Sequence, residues 1–341
     1  MSSLLKTQWG LAIQRQCVFF RPEKCKKYVP MERQDYYKEL ERWFRGEPRE
    51  AGWLVLDKGV PSHFVRTAGS RDYLWAELSV TVLGYNVLTA REDGNPHALS
   101  IFEKELEKQS GKYTYWSRRR PLVSAAIAQA DVAGLCEVTR PMLEDILQDN
   151  PDFKLGAFVP KCGNYDGSAV LVNSRRCTVL CKVSSPIQAK HPQVFLACLV
   201  RDRITEEEWW QVVLHLKSDG VEPHMEMEAR RVHEAEIVHA KIKRLSPRRP
   251  VVVVGDFNSD RLEYPHLEER HIPHVMNVFS EYECVLPLMP TYNHWRPAAF
   301  DHILVSGGTA VDARVPESRD VAPNNKQGSD HFPVYADVIF Y

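Results

Sequence analysis

Eight residues able to hold a metal, move a proton or meet a phosphate stand where apolar runs end. Asn86 follows SVTVLGY, Glu137 follows VAGLC, His215 interrupts VVLHLK, Asp256 and Asn258 follow VVVVG, Asp301 follows AAF, and Asp330 with His331 precedes the last apolar run. Strand ends of an α/β sheet converge on one rim, so these residues are expected to form a single site. The chemistry they suit is phosphodiester hydrolysis. Carboxylates and an amide oxygen hold a hard cation such as Mg²⁺, or Mn²⁺ in its place, together with the substrate phosphate. Glu137 is the candidate ligand. Asp256 suits orienting or deprotonating the attacking water, and Asn258 can hold a phosphoryl oxygen without adding negative charge. His215 and His331 are placed to stabilise charge at phosphorus or assist the leaving oxygen, with Asp301 fixing the tautomer of His331.

Each residue taken alone has a plainer reading. An Asp and an Asn after a strand usually make a turn that satisfies backbone groups. His215 inside an apolar strand would be a hydrogen-bonded core histidine. Asp330 and His331 would cap an element, Asp301 would pair with a nearby base, and Asn86 would end its strand. The ordered set, not any single member, carries the functional reading. Glu137, directly after a buried-looking strand, has no easier explanation than a metal.

The elements that position these residues can be read from texture. Strands are expected at Ser79–Gly84, Val132–Cys136, Ser168–Val172, Gln211–Leu216, Val251–Val254, Phe300–Val305 and Val334–Phe340. The unbroken valine run before Gly255 fits a central strand covered on both faces. Helices fit Pro121–Ala130, with Pro at the start, and Met225–Leu245, acidic at its beginning and basic at its end. This alternation indicates a layered α/β domain from residue 73 to 341. Residues 1–72 lack it and read as an extension whose one helix-like stretch is Met31–Phe44. The segment before Glu23 holds Lys6, Arg15 and Arg21 but no acid, a bias shared with mitochondrial presequences.

Forty-four basic against forty-five acidic residues leave a net charge of −1, so a polyanion must be met by a local basic patch. The eight cysteines include no CxxC pair, which argues against structural zinc and for a reducing compartment. No apolar stretch approaches the roughly eighteen residues of a membrane span. An intracellular, cytoplasmic protein is expected, with mitochondrial or nuclear placement as alternatives, and no membrane partner.

The blocks GYNVL, LCEVTR, DGSAVLVN, VVLHLKS, VVVVGDFNS, FDHILVS and GSDHFPVYADV, in that order, resemble the signatures of the endonuclease/exonuclease/phosphatase superfamily. The likeness covers residues 79–341 and is closest in texture to the nocturnin-type deadenylase branch, through DGSAVLV, HLKS and a Trp-x-x-Arg in YWSRRRP. It implies a four-layered α/β sandwich of two mixed β-sheets packed face to face with helices outside, as in DNase I. It further implies Asn86, Glu137 and Asp330 around the metal, Asp256 and Asn258 at the water and phosphate, and His215, Asp301 and His331 in the roles above. Cys136, Leu214 and His302 replace the glutamine, threonine and aromatic usual at their positions. None of these changes removes a charged group.

The branch resemblance points to single-stranded RNA and a 3′ to 5′ exoribonuclease. Arg118, Arg119, Arg120 and Lys217 are candidates to meet phosphates; Tyr165, Tyr292 and Trp295 are candidates to stack bases, with Thr291 and Asn293 lining the same cleft. The plainer alternatives are a solvated helix entry for the arginines and core packing for Tyr292 and Trp295. Rival functions are a DNA endo- or exonuclease, a small-molecule or lipid phosphoesterase, and a non-catalytic nucleic-acid-binding module. The last is disfavoured because every charged ligand is present. The sequence does not tell whether the chain has protein partners.

Overall fold

The computed structural model describes residues 79–89, 115–163, 165–188, 192–218, 224–245, 249–263, 273–294, 296–316 and 322–340, positions 265 and 268, and four short strands nearer the N-terminus. Those strands, β1 (Val18–Phe20), β2 (Val29–Pro30), β3 (Trp53–Asp57) and β4 (Val60–Phe64), form an antiparallel sheet in the order β2-β1-β3-β4. Asp57 pairs with Val60. The helix expected at Met31–Phe44 lies outside the described residues. The chain divides into two compact units, residues 1–80 with 202–207 and 341, and residues 81–201 with 208–340.

The second unit runs β5 (Val80–Asn86), α1 (Trp116–Ile127), β6 (Val132–Thr139), α2 (Arg140–Asp149), β7 (Phe153–Pro160), β8 (Asp166–Asn173), β9 (Cys177–Pro186), β10 (Val194–Asp202), β11 (Glu208–His215), α3 (His224–Leu245) and β12 (Val251–Asp256). It continues through α4 (Val275–Val278), β13 (Glu283–Cys284), β14 (Tyr292–Asn293), β15 (Pro297–Ala298), β16 (Asp301–Ser306), β17 (Gly308–Arg314) and β18 (Val334–Phe340). Two six-stranded sheets result, ordered β17-β18-β5-β6-β8-β7 and β13-β16-β12-β11-β10-β9. Both are mixed: β5 and β6 are parallel, as are β11 and β12, whereas β6–β8 and β12–β16 are antiparallel.

Side chains alternate across each strand, and the alternation sorts the core into layers. Leu83, Tyr85, Ala133 and Leu135 pack with Val123 and Ile127 of α1 and with Met142 and Ile146 of α2. On the other sheet Val212, Leu214, Val251 and Val253 pack with Ala235, Val238 and Ile242 of α3 and with Val275 of α4. The alternate residues face the opposing sheet. Gly134 of β6 lies so close that a Cβ there would stand 2.3 Å from Val254 Cγ2 and 2.9 Å from Val213 Cγ2. The absent side chain lets the valine face of β11 and β12 seat directly on β6, and burying each such valine contributes about 1.5–3 kcal/mol. The architecture is a two-sheet α/β sandwich with helices outside.

Two details depart from the sequence reading. Helix α1 begins at Trp116, five residues before its expected start, and carries Pro121 in its interior. Pro121 forfeits one ladder bond. The turn preceding it is anchored elsewhere: Trp116 Nε1 donates to Asp145 Oδ2 at 2.7 Å, and Arg120 reaches Asp145 and Asp149 of α2. Strands β1 to β4, β7, β9, β10, β13 to β15 and β17 were not anticipated. Among the described residues no helix is long and apolar enough to cross a membrane, and the described cysteines are free.

Candidate active site

The inward rows of four strands run out at one end of the sandwich: Val82-Gly84-Asn86 in β5, Val213-His215 in β11, Val252-Val254-Asp256 in β12, and Val305-Ile303-Asp301 in β16. Register aligns them, because His215 pairs with Asp256 and Asp256 with Asp301. The same period that fills the interface with valine therefore brings polar residues to the rim when the valines end. Glu137 reaches it differently. Cys136 takes the inward position, its thiol donating to Leu214 O of the opposite sheet at 3.4 Å. A bulge between Leu135 and Val138 then places Glu137 at φ +55°, re-aiming its side chain toward the rim.

Hydrogen bonds tie the cluster together. Asn86 Nδ2 donates to Glu137 Oε1 at 3.1 Å and to Asp256 Oδ2 at 2.9 Å, while its Oδ1 accepts from Leu88 N at 3.1 Å. His215 Nε2 stands 3.7 Å from Glu137 Oε1 and 3.8 Å from Asp256 Oδ2. His331 Nδ1 is bonded to Asp301 Oδ2 at 2.8 Å, and its Nε2 faces Asp256 Oδ2 at 3.6 Å. Asn258, at φ +50°, donates its backbone N–H to Asp256 Oδ1 at 2.8 Å and its side-chain amide to Leu216 O at 3.0 Å. The Asp-x-Asn turn thus exists and also bounds the rim. Asp330 is buried, its Oδ1 3.2 Å from the Ser329 hydroxyl oxygen.

Burial and charge separate the protonation states. Burial pushes the Glu137 carboxyl up, but Lys161, His215 and the Asn86 bond together outweigh it and hold the group at about 2. Burial raises Asp256, against the pull of His331, and raises Asp330, where Glu137 adds like charge. Burial and the Lys161 charge lower His215 to about 4. At His331 burial opposes protonation, yet Asp301 and Asp256 outweigh it and lift the imidazole well above its ordinary value. The rim therefore presents Glu137 as a carboxylate, His215 as a neutral imidazole and His331 as the far more basic of the two histidines.

Lys161 was missed by the sequence reading. It follows β7, bonds Asp166 Oδ2 at 2.7 Å, and is the leading favourable charge on Glu137. A lysine at the mouth of the hairpin that opens into the DGSAVLV block was the available signal.

The substrate-contact expectations need revision. Arg119 is buried at 1% exposure and donates to Val87 O at 2.6 Å, Leu88 O at 2.8 Å and Gly328 O at 3.0 Å, so it meets backbone carbonyls rather than phosphates. Arg120 is engaged by Asp145 and Asp149. Thr291 is also buried: its hydroxyl donates to Asp301 Oδ2 at 2.8 Å and accepts from Phe300 and Asp301 N, which orients the acid. The buried Tyr292 ring packs on His331 with centroids 4.9 Å apart. Asn293 lends its backbone, donating to Asp330 O at 3.1 Å. Lys217 ends the β11 segment half-buried, its N–H held by Glu234 Oε2 at 2.9 Å. Tyr165 is 53% exposed and Arg118 is exposed; Trp295 lies outside the described residues.

Among the described residues, two groups have side-chain atoms close enough to share a cation, Glu137/His215/Asp256 and Asp256/Asp301/His331. Asn86 meets the acids through its amide nitrogen, and Asp330 lies outside both groups, though its carboxyl senses the Glu137 charge. The first group, with an ionised carboxylate and a neutral imidazole, fits a divalent ion. In the second, His331 is charged and its Nδ1 is committed to Asp301, so that group suits proton chemistry.

The sequence model of the Endonuclease/Exonuclease/phosphatase family matches residues 83–331. A search of curated proteins by sequence finds no match. Among solved structures the chain is similar to the mannosyl-6-phosphatase of Bacteroides thetaiotaomicron, with 19% identity over 77% of this chain and 100% of that one, TM-score 0.58. It is also similar to ANGEL2, a 2′,3′-cyclic phosphatase, with 16% identity over 76% and 95%, TM-score 0.57. The human Nocturnin catalytic domain follows at 20% identity over 77% and 94%, TM-score 0.52. At such identities these structures share the fold. The extent of the family match and the α/β sandwich make the chain a member of the Endonuclease/Exonuclease/phosphatase family, a hydrolase of phosphoester bonds.

Proposed function

We propose that the chain is a metal-dependent nuclease that hydrolyses single-stranded RNA, as a 3′ to 5′ exoribonuclease. The observation that carries the hydrolytic core of this reading is the meeting of Glu137, Asp256, His215 and His331 within 4 Å contacts at the end of the sandwich. Glu137 and His215 would hold Mg²⁺ or Mn²⁺, with Asp330 kept in the set through its coupling to Glu137 and Asp256 left free of the cation as the base. When bound, the cation neutralises phosphate charge and polarises the phosphoryl group. Asp256, its affinity for a proton raised by burial, accepts the proton of the attacking water. His331, charged and held by Asp301, donates to a phosphoryl oxygen and stabilises the pentacovalent charge. Asn86 keeps the Glu137 and Asp256 carboxylates at fixed separation, and Asn258 fixes Asp256 from the other side.

RNA is favoured by Lys217 just beyond the end of β11 and by the exposed ring of Tyr165 beside Asp166. A second reading, a small phosphoester as substrate, is favoured by the engagement of Arg119 and Arg120 elsewhere, which leaves less cationic surface for a long strand. End-labelled single-stranded RNA, single-stranded DNA, duplex DNA and a phosphomonoester, each with Mg²⁺ or EDTA, separate these readings. An RNA ladder shrinking from the 3′ end, abolished by EDTA, is the expected result. Turnover of the monoester alone would replace the nuclease reading with the second one.

A further inference from the structure

We infer that Arg119 is a positioning residue that clamps two active-site segments, the Asn86–Leu88 turn and the Gly328–His331 loop, into one geometry. Its buried guanidinium donates to Val87 O and Leu88 O on one side and to Gly328 O on the other. Leu88 sits at φ +55°, a conformation an L side chain rarely adopts, and its carbonyl is one of the three acceptors. The N–H of that same residue bonds Asn86 Oδ1, which forces the Asn86 amide nitrogen toward Glu137 and Asp256. On the far side, Gly328 precedes Ser329, whose hydroxyl donates to Asn86 O at 2.7 Å and accepts from His331 N at 3.3 Å. One cation with fixed, planar donors therefore joins strand-end and loop, and the fork geometry of a guanidinium suits three carbonyls as an ammonium does not. The inference rests on the phosphoesterase reading for its kinetic consequence only.

The test compares the full-length protein with Arg119→Ala, Arg119→Lys and, as a control for helix anchoring, Arg120→Ala. The readouts are kcat and KM on bis(p-nitrophenyl) phosphate with Mn²⁺, Tm, and hydrogen exchange at the Leu88 and His331 amides. Arg119→Ala should lose about a hundredfold in kcat, the scale expected for a small misplacement of reacting groups, with little change in KM. Both amides should exchange faster. Arg119→Lys should regain part of kcat, and added guanidinium ion should do the same for Arg119→Ala. Arg120→Ala should lower Tm while keeping kcat. Wild-type kcat in folded Arg119→Ala, or losses in Arg119→Ala and Arg120→Ala that simply track Tm, would overturn the inference. If the wild type turns over no phosphoester, the functional reading fails and the exchange data still decide the clamp: unchanged protection at Leu88 and His331 in both Arg119 variants sinks it.

Discussion

Two buried clusters of acids and histidines lie among the described residues of this sandwich, and they differ in how their carboxylates and imidazoles are satisfied. Behind the rim, Glu228 Oε1 accepts from Ser259 Oγ at 2.6 Å and from Val275 N, and its Oε2 accepts from Arg231 Nε at 3.0 Å. Ser259 Oγ also meets His274 Nε2 at 2.9 Å, a Ser-His-Glu grouping that could be mistaken for a nucleophile and its base. It cannot work as one. His274 Nδ1 accepts the N–H of Met276, so Nε2 carries the proton and has no capacity to take one from the fully buried Ser259. At the rim, by contrast, His215 Nδ1 and Asp301 Oδ1 have no hydrogen-bond partner within the protein. A cluster whose carboxylate and imidazole atoms are all engaged ties elements together; one whose buried acid and histidine atoms lack protein partners calls for another group to complete it.

The contrast is sharpest in turnover. Asp256→Ala should cost about 10²–10⁴ in kcat on any phosphodiester the wild type cleaves, and Glu137→Ala at least as much, with the fold kept. EDTA should silence the wild type equally, and added Mg²⁺ should restore it. If Ser259→Ala proves as inactive as Glu137→Ala while still folded, the division between the clusters is wrong.

A smaller effect is expected where the sheets meet. Gly134→Ala should cost about 1–3 kcal/mol in urea unfolding, since its methyl must displace Val254 and Val213. It should also lower kcat by moving β6 away from β12. Ser259→Ala should cost about 1–3 kcal/mol through stranded partners, yet keep its metal dependence.

Thermal stability against pH gives the gentlest discrimination, because the two histidines are shifted in opposite directions. His331 is raised by its acids, so its contribution is full below the ordinary histidine value and fades as pH rises through the higher folded one. Burial lowers His274, so its contribution is present above the ordinary value and fades as pH falls toward the depressed one. His331→Gln and His274→Gln should flatten the Tm profile on opposite limbs; flattening on the same limb would erase the contrast.

Much of the rim was legible because a period of two is legible. The valine runs ending in Asp256, Asn86 and His215 announce both the strand and the face of its terminal residue. Strand β9 was not, because most of its residues face solvent and carry no apolar alternation. Glu137 was expected just beyond a strand ending at Cys136, whereas it lies inside β6, and its direction depends on a bulge that composition does not encode. Arg119 was misread as a phosphate contact because an arginine in a run of three looks solvated; only tertiary packing reveals that one of the three is swallowed whole. Lys161 went unnoticed because a lone lysine after a proline has no periodicity to betray it.

The seating of Cys136 between the sheets gives the protein an internal timepiece. A thiol reagent will reach the exposed Cys162 and Cys181 at once, but Cys136 only during the rare moments when the layers part. Since any compound that occupies the adjacent cradle favours the closed form in proportion to its concentration over its Kd, slower labelling would rank candidate ligands without a single catalytic cycle.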